Sequence, residues 1–104
     1  MSELPKPPAP PLQRILELAS AFQASRALLS AVELDLFTLL DGLPRGSAEV
    51  ARAIGADPRG TDRLMNALCA LGLLEKRDAR FQNSPAAAEF LVRGKAGYVA
   101  GLRH

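Results

Sequence analysis

The chain has 104 residues, 48% of them hydrophobic and only 5% aromatic, and 13 basic residues against 11 acidic ones give a formal net charge of +2. This composition predicts one domain of packed helices, gives no strong field for a polyanionic partner, and excludes an internal disulfide because there is a single cysteine. Because no apolar run approaches roughly 20 residues and the N-terminus lacks the features of a signal peptide, we expect a cytoplasmic protein without a membrane partner.

Residues 1–11 contain five prolines and almost nothing that could be buried. This composition favours a flexible, proline-rich lead-in. A proline-rich ligand for a partner domain is the alternative. We favour the lead-in, because tails of this kind commonly precede a first helix.

The pattern from residue 12 to about residue 34 predicts one long helix, uninterrupted by Gly or Pro. Apolar residues form a stripe along it, and small residues across its middle would let another backbone approach closely. The stripe comprises Leu12, Ile15, Leu16, Ala19 and Phe22, continued with some drift by Leu28, Leu29, Val32 and Leu36. So long a helix has more apolar surface than one layer of a small domain covers, which usually marks a protein contact. We therefore predict a dimer; the alternative is a helix packed wholly on its own domain.

A helix-turn-helix is predicted in the middle of the chain. After a short amphipathic segment at residues 35–41, Ser47 is expected to cap a helix that ends at Gly55. Asp57 and Pro58 then supply a cap and a first-turn proline for a second helix. The apolar face of this second helix comprises Leu64, Met65, Leu68, Cys69 and Leu71. On that face the cysteine is expected to be a buried, inert thiol.

A short hairpin and two further helical segments follow. Residues 73–83 are typical of a hairpin that turns at Asp78–Ala79. Ser84 is expected to cap a short helix over residues 86–92, and residues 96–104 begin another helical pattern. Because a helix-turn-helix followed by a hairpin is the layout of a winged helix, we predict a mainly α winged-helix domain with a long N-terminal dimerisation helix.

No catalytic, cofactor-binding or metal-binding residue is predicted. The glycines at positions 94, 97 and 101 follow a helix rather than a strand, so they form no nucleotide-binding fingerprint. The single histidine, His104, cannot supply a multi-histidine metal site. The serines of the first helix have no nearby base to activate them.

DNA binding is the main alternative, because a winged helix is a common vehicle for it. Residues 57–83 contain five basic and four acidic residues, a net charge of only +1. Asp57 and Asp62 lie in the first turn of the would-be recognition helix and Asp78 lies at the hairpin tip, where phosphates would approach. Nucleic acid is therefore not expected as a partner, although four arginines keep the alternative open: Arg59, Arg63, Arg77 and Arg80.

Three stretches resemble a known family: ILELASAFQASRALLSAVELDLFTLLDG, SAEVARAIGADPRGTDRLMNALCALGLLEK and FQNSPAAAEFL. Together they resemble the N-terminal dimerisation domain of S-adenosylmethionine-dependent small-molecule O-methyltransferases. This family includes plant caffeic acid methyltransferases, acetylserotonin methyltransferase, and bacterial enzymes that methylate polyketides and carotenoid intermediates. The resemblance covers about residues 12–93.

The resemblance implies a homodimer that forms through the first helices. The positions that match the dimer-forming helices of the family are Leu12, Ile15, Leu16, Ala19, Phe22, Ala27, Leu28 and Val32. The positions that match its winged-helix core are Leu64, Leu68, Leu71 and Leu73.

The resemblance also implies that this domain helps to close the pocket of a small-molecule acceptor. In the family, S-adenosylmethionine and a histidine general base belong to a following Rossmann-like domain, and His104 matches neither motif. We therefore expect this chain alone to be inactive and to bind no cofactor, with residues 94–104 starting a linker helix toward a catalytic domain. A fragment, a degenerate copy and a separately encoded partner all remain open.

Overall fold

The computed structural model describes residues 11–99, which form a mainly helical domain with one small antiparallel sheet. This confirms the mainly α prediction. In chain order the elements are α1 (Pro11–Glu33), α2 (Leu36–Leu39), α3 (Ser47–Ile54), α4 (Pro58–Ala70), β1 (Leu74–Arg77), β2 (Arg80–Asn83) and α5 (Pro85–Phe90). The predicted lead-in, apart from its last residue, lies outside the described residues.

Local capping signals explain where α4 and α5 begin and where α3 ends. The Asp57 carboxylate accepts a hydrogen bond from the Gly60 N–H at 2.8 Å, and the Ser84 hydroxyl oxygen accepts one from the Ala87 N–H at 3.2 Å. Each bond satisfies a backbone donor that the first turn of a helix leaves unpaired. Gly55 ends α3 with φ +67°, a conformation that suits glycine. These three predicted boundaries are confirmed.

The start of α3 differs from the prediction that Ser47 is its cap. Gly46 occupies the cap position, and its N–H donates to the Glu49 carboxylate at 3.2 Å. The Ser47 hydroxyl instead donates to the Asp62 carboxylate at 2.8 Å. A hydrogen bond to an ionised acceptor is stronger than one between neutral groups, so this serine links α3 to α4 rather than capping its own helix.

The core lies where the C-terminal part of α1 meets α2, α3, α4, the hairpin and α5. Its buried members are Ala31, Leu36, Phe37, Leu40, Val50, Met65, Leu68, Leu74, Phe81, Ala87 and Val92. Leu68 is thus a core residue as predicted, and Leu64 and Leu73 are half-buried against the same cluster. The prediction is wrong for Leu71, which is 43% exposed because it follows the last residue of α4 and the chain turns away at Gly72.

The predicted hairpin is confirmed. Its turn residues, Asp78–Ala79, have φ values of 51° and 65°, the combination that suits a two-residue connection between twisted strands. Arg77 and Arg80 face each other across the ladder next to the turn. A single bridge also joins Arg45 to Phe81, whose N–H donates to the Arg45 carbonyl at 2.8 Å. The segment before α3 therefore runs beside the outer edge of β2.

Residues 94–99 form turns and irregular backbone where the sequence predicted the start of a linker helix. Gly97 lies so close to α5 that an added Cβ would be 2.9 Å from the Glu89 carbonyl oxygen. The Val99 N–H donates to the Phe90 carbonyl at 3.0 Å. The chain therefore folds back along α5 instead of extending as a helix; the rest of the predicted helix, residues 100–104, lies outside the described residues.

Side chains near α2 hold the start of this segment against the domain. The Arg93 N–H donates to the Thr38 hydroxyl oxygen at 2.9 Å. The Arg93 guanidinium lies 3.6 Å from the Asp35 carboxylate, and the Lys95 ammonium lies 3.6 Å from the Asp41 carboxylate. Exposed ion pairs contribute little, so the backbone hydrogen bond is the contact that fixes the path of the chain here.

Candidate dimer interface

The N-terminal part of α1, residues 11–23, is a helical arm whose residues are all exposed. At 1.5 Å per residue the arm is about 20 Å long. An isolated helix of this length is only marginally stable in water, because few backbone bonds offset the cost of nucleation. Packing of its side chains against another surface is therefore the expected source of its stability.

Large apolar side chains cover the arm. Their exposed fractions are 68% for Leu12, 61% for Ile15, 57% for Leu16, 60% for Leu18 and 62% for Phe22. Single exposed leucines are normal on a protein surface, but a contiguous group of this size usually marks a contact site.

The predicted interface residues fall into two groups. Leu12, Ile15, Leu16, Ala19 and Phe22 are exposed on the arm, whereas Ala27, Leu28 and Val32 pack against the core of their own domain. With 3.6 residues per turn, Leu28 and Val32 lie on nearly the opposite side of α1 from the arm residues, whereas Ala27 lies on the same side as Leu12 and Leu16. The sequence predicted a single apolar stripe, but the structure divides these residues between an exposed face and a face that packs on the core. Their contribution to a dimer interface stays a prediction.

Two exposed residues, Leu18 and Leu29, were not among the predicted interface residues. They lie with Ile15 and Phe22 on the side of α1 that faces away from the core, and we call these four residues the outer stripe. Leu29 is 46% exposed. These four residues are separated by three, four and seven positions, as in a coiled-coil seam. This spacing is the sequence signal by which Leu18 and Leu29 could have been predicted.

A groove of about 200 Å³ lies between α1 and α4. Small and apolar residues line most of it: Ser20, Gln23, Ala24, Ala27, Ala67, Ala70 and Leu71. Ser20 and Gln23 belong to both the arm and the groove, so the two surfaces are continuous. The alanine side chains leave room for a large side chain from another helix.

The helix α1 is also long and apolar enough to cross a membrane by length and composition, with a mean hydropathy of 1.2 over 18 residues. Every 18-residue window of α1 nevertheless contains Glu17 and Arg26. Charged side chains inside a bilayer are costly unless they are paired or hydrated. These two charges argue against a membrane span, and the expectation of no membrane partner stays a prediction.

Polar side chains on α4 and the hairpin are engaged within the domain. The Asn66 amide nitrogen donates to the Asp62 backbone carbonyl at 2.8 Å and to its carboxylate at 3.1 Å. The Lys76 ammonium donates to the Asn66 amide oxygen at 3.3 Å and lies 5.0 Å from the centroid of the Phe81 ring. Base readout requires free donors and acceptors, whereas these groups stabilise the junction between α4 and the hairpin.

The cysteine offers no reactive centre. Cys69 is half-buried rather than fully buried as predicted. Burial raises the pKa of its thiol above the ordinary value, and the positive charge of Lys76 offsets part of that rise. The thiol is therefore protonated and weakly nucleophilic at neutral pH. Among residues 11–99, no group of three or more His, Cys, Asp or Glu side chains is placed to hold a metal ion.

Comparison with known proteins identifies the family of this chain. A family model, the O-methyltransferase dimerisation domain, matches residues 16–93. The chain is 53% identical over 88 residues to the tetracenomycin polyketide synthesis 8-O-methyl transferase TcmO of Streptomyces glaucescens, covering 84% of this chain and 26% of that protein. It is 39% identical over 106 residues to the N,N-dimethyltransferase OxyT of Streptomyces rimosus, covering 100% of this chain and 31% of that protein.

A solved structure gives the same result. The O-methyltransferase family 2 protein from Planctomyces limnophilus, in complex with apigenin, superposes with a TM-score of 0.80 and 28% identity. The match covers 93% of this chain and 29% of that one. The chain thus spans about a quarter to a third of the length of the relatives it matches. With most of its residues matched by the family model, this chain belongs to the O-methyltransferase dimerisation domain family.

Proposed function

We propose that this chain forms a homodimer and caps the acceptor pocket of an S-adenosylmethionine-dependent methyltransferase that acts on a small hydroxylated molecule. The observation that supports the dimer best is the arm, which is helical, exposed on every face and rich in large apolar side chains. A helix about 20 Å long and 10–12 Å wide has a surface on the order of 700 Å². A standard interface buries about 800 Å² on each partner. A partner that covers one side of the arm would bury about half of the arm's surface, so the arm supplies nearly half of such an interface.

We propose further that the domain is a winged helix. The pair α3–α4 precedes the β1–β2 hairpin. The isolated antiparallel bridge between Arg45 and Phe81 adds a short third segment to the sheet, beside β2. A winged helix can also bind DNA, but the internal hydrogen bonds of Asn66 and the methyltransferase relatives both favour a structural use of this fold. Duplex DNA is expected to bind weakly and to be released by salt.

We propose that methyl transfer depends on a part of the complete enzyme outside the region that its relatives share with this chain. S-adenosylmethionine is the expected cofactor of the complete enzyme, and we place none of its contacts on residues 11–99. Two relatives are named for different acceptor atoms, oxygen in one and nitrogen in the other. Membership of this domain family therefore does not by itself identify the acceptor atom. A cytoplasmic location is part of the same proposal.

Light scattering coupled to gel filtration tests the dimer. The chain at micromolar concentration is expected to have twice its mass of 11.1 kDa. A single species of 11.1 kDa at tens of micromolar would contradict the proposal, since an interface of standard size should hold at that concentration.

An immunoblot of source-cell extract, using an antibody against residues 11–99, tests the link to a catalytic domain. A band larger by roughly 200 residues or more is expected if a further domain of common size is attached. A band at 11.1 kDa would show that this domain acts as a separate polypeptide, and capping of an acceptor pocket would then require a partner protein.

A further inference from the structure

We infer that Leu12 and Leu16 of a second copy of this chain occupy the groove between α1 and α4. Two copies would then pair through reciprocal arm-in-groove contacts. This inference rests on the proposed homodimer, and it specifies which surface of the domain receives the arm.

The groove has the size and chemistry to accept a leucine side chain. Its volume is about 200 Å³, and an apolar cavity of about 150 Å³ is large enough to hold benzene. Four of the residues that line it are alanines, none is charged, and Leu71 at its edge is 43% exposed. An apolar side chain placed there would bury this exposed apolar surface.

The arm leucines and the groove share one face of α1. The residues at positions 12, 16, 20, 23 and 27 recur with spacings of four and three, so they lie along one side of the helix. The large residues lie at the N-terminal end of this row, and the groove lies beside its C-terminal part. One face of the helix therefore contains both the projecting side chains and the depression.

This arrangement is self-complementary, as a two-fold symmetric interface requires. If a two-fold axis passes α1 near residue 20 and the two helices run antiparallel, Leu16 of one copy lies opposite residue 24 of the other. Leu12 then lies opposite residue 28, next to Ala27. Both leucines thus reach the part of α1 that lines the groove, and the match of residues 16–93 to a dimerisation domain supports a second copy as the occupant.

A double-mutant cycle tests the contact. Leu16→Ala removes a side chain from the arm, and Ala67→Leu fills the groove without entering the core, because Ala67 is exposed. Each change alone is expected to weaken dimerisation by about tenfold or more, since a core-like contact is lost or blocked at two symmetric positions. The double variant is expected to recover most of the loss, because total volume is restored. Dimer dissociation constants from analytical ultracentrifugation give the readout.

Ala48→Leu is the matched control, since it makes the same substitution at an exposed position of α3 away from the groove, and it should leave the dissociation constant unchanged. Far-ultraviolet circular dichroism checks that each variant folds, and Ala70→Leu replaces Ala67→Leu if the latter does not. Strictly additive effects, or a groove-filling variant that dimerises normally, would overturn the inference while leaving the homodimer in place. A wild-type chain that is monomeric would overturn both.

Discussion

The arm and the rest of the described domain, residues 24–99, share one continuous helix but differ in what stabilises them. Within the domain, α1 places Ala31 in the core with no exposed surface. Within the arm, side chains as large as Phe22 are 62% exposed. One helix is therefore stabilised in two ways. Residues 24–33 pack against their own domain, and the arm, as we propose, packs against a second copy.

This difference predicts how the two regions respond to mutation. Loss of a core contact should lower the free energy of unfolding by the same amount at every protein concentration. Loss of an arm contact should act through dimerisation, whose contribution to stability depends on concentration by mass action. Each of the following experiments tests one side of that comparison.

Phe81→Ala is expected to have the largest effect. Phe81 is 1% exposed and packs in the core from β2, and truncation of a buried phenylalanine costs about 3–5 kcal/mol. Urea denaturation should show this loss equally at low and high protein concentration. A loss that grows with dilution would indicate that Phe81 acts through the dimer, contrary to the comparison.

Phe22→Asp should dissociate the dimer. A carboxylate buried in the interface without a partner costs on the order of 3 kcal/mol or more. Light scattering should therefore report the monomer mass, while circular dichroism should lose no more than the helical signal of the released arm, because Phe22 makes no core contact in its own chain. Phe22→Leu, which keeps the site apolar, is the control and should remain dimeric. A dimer that survives the aspartate would exclude Phe22 from the interface.

Asp57→Ala is expected to have a smaller effect, confined to residues 24–99. The Asp57 carboxylate caps α4 through the Gly60 N–H, and loss of such a cap typically costs about 1 kcal/mol. Urea denaturation should show this loss at every protein concentration. The control Asp57→Asn should retain most of the stability, because asparagine caps equally well. If the alanine and asparagine variants are destabilised equally, the hydrogen bond is not what the aspartate contributes.

Features that depend on neighbouring residues could be predicted from the sequence. The cap at Asp57, the stop at Gly55 and the hairpin turn at Asp78–Ala79 all depend on backbone conformations that a few adjacent residues determine. The periodicity of α1 likewise predicted a helix within one residue of its observed bounds. The family resemblance rested on the order of these same elements, and the family match confirms it.

Features that depend on distant residues could not be predicted. Ser47 bonds Asp62, fifteen positions away, and no local pattern shows that this carboxylate will be within reach. Residues 94–99 fold back because α5 offers the Phe90 carbonyl as an acceptor and because Gly97, which has no Cβ, can lie close to the Glu89 carbonyl. The division of α1 into an exposed arm and a packed part also depends on where the other elements end, since periodicity identifies an apolar face without identifying what covers it.

The smallest expected effect concerns the thiol of Cys69 at the boundary between α4 and the hairpin. Burial raises its pKa, and the nearby Lys76 ammonium lowers it by a smaller amount because a positive charge favours the thiolate. Lys76→Met removes that favourable charge, so the pKa should rise further. Because the thiolate is the form that reacts, alkylation by iodoacetamide at a fixed alkaline pH should become slower.

Mass spectrometry can follow this reaction directly, since the chain has one cysteine, and the midpoint of the rate against pH should move upward in the variant. Lys95→Met is the control, because Lys95 pairs with Asp41 instead, and its midpoint should stay in place. A thiol whose folded pKa is raised stabilises the fold below its unfolded pKa and loses that contribution as the pH rises through the folded value. Stability should therefore fall slightly at alkaline pH, and this loss should disappear in Cys69→Ala. A midpoint that moves downward in Lys76→Met would show that Lys76 acts through packing rather than charge.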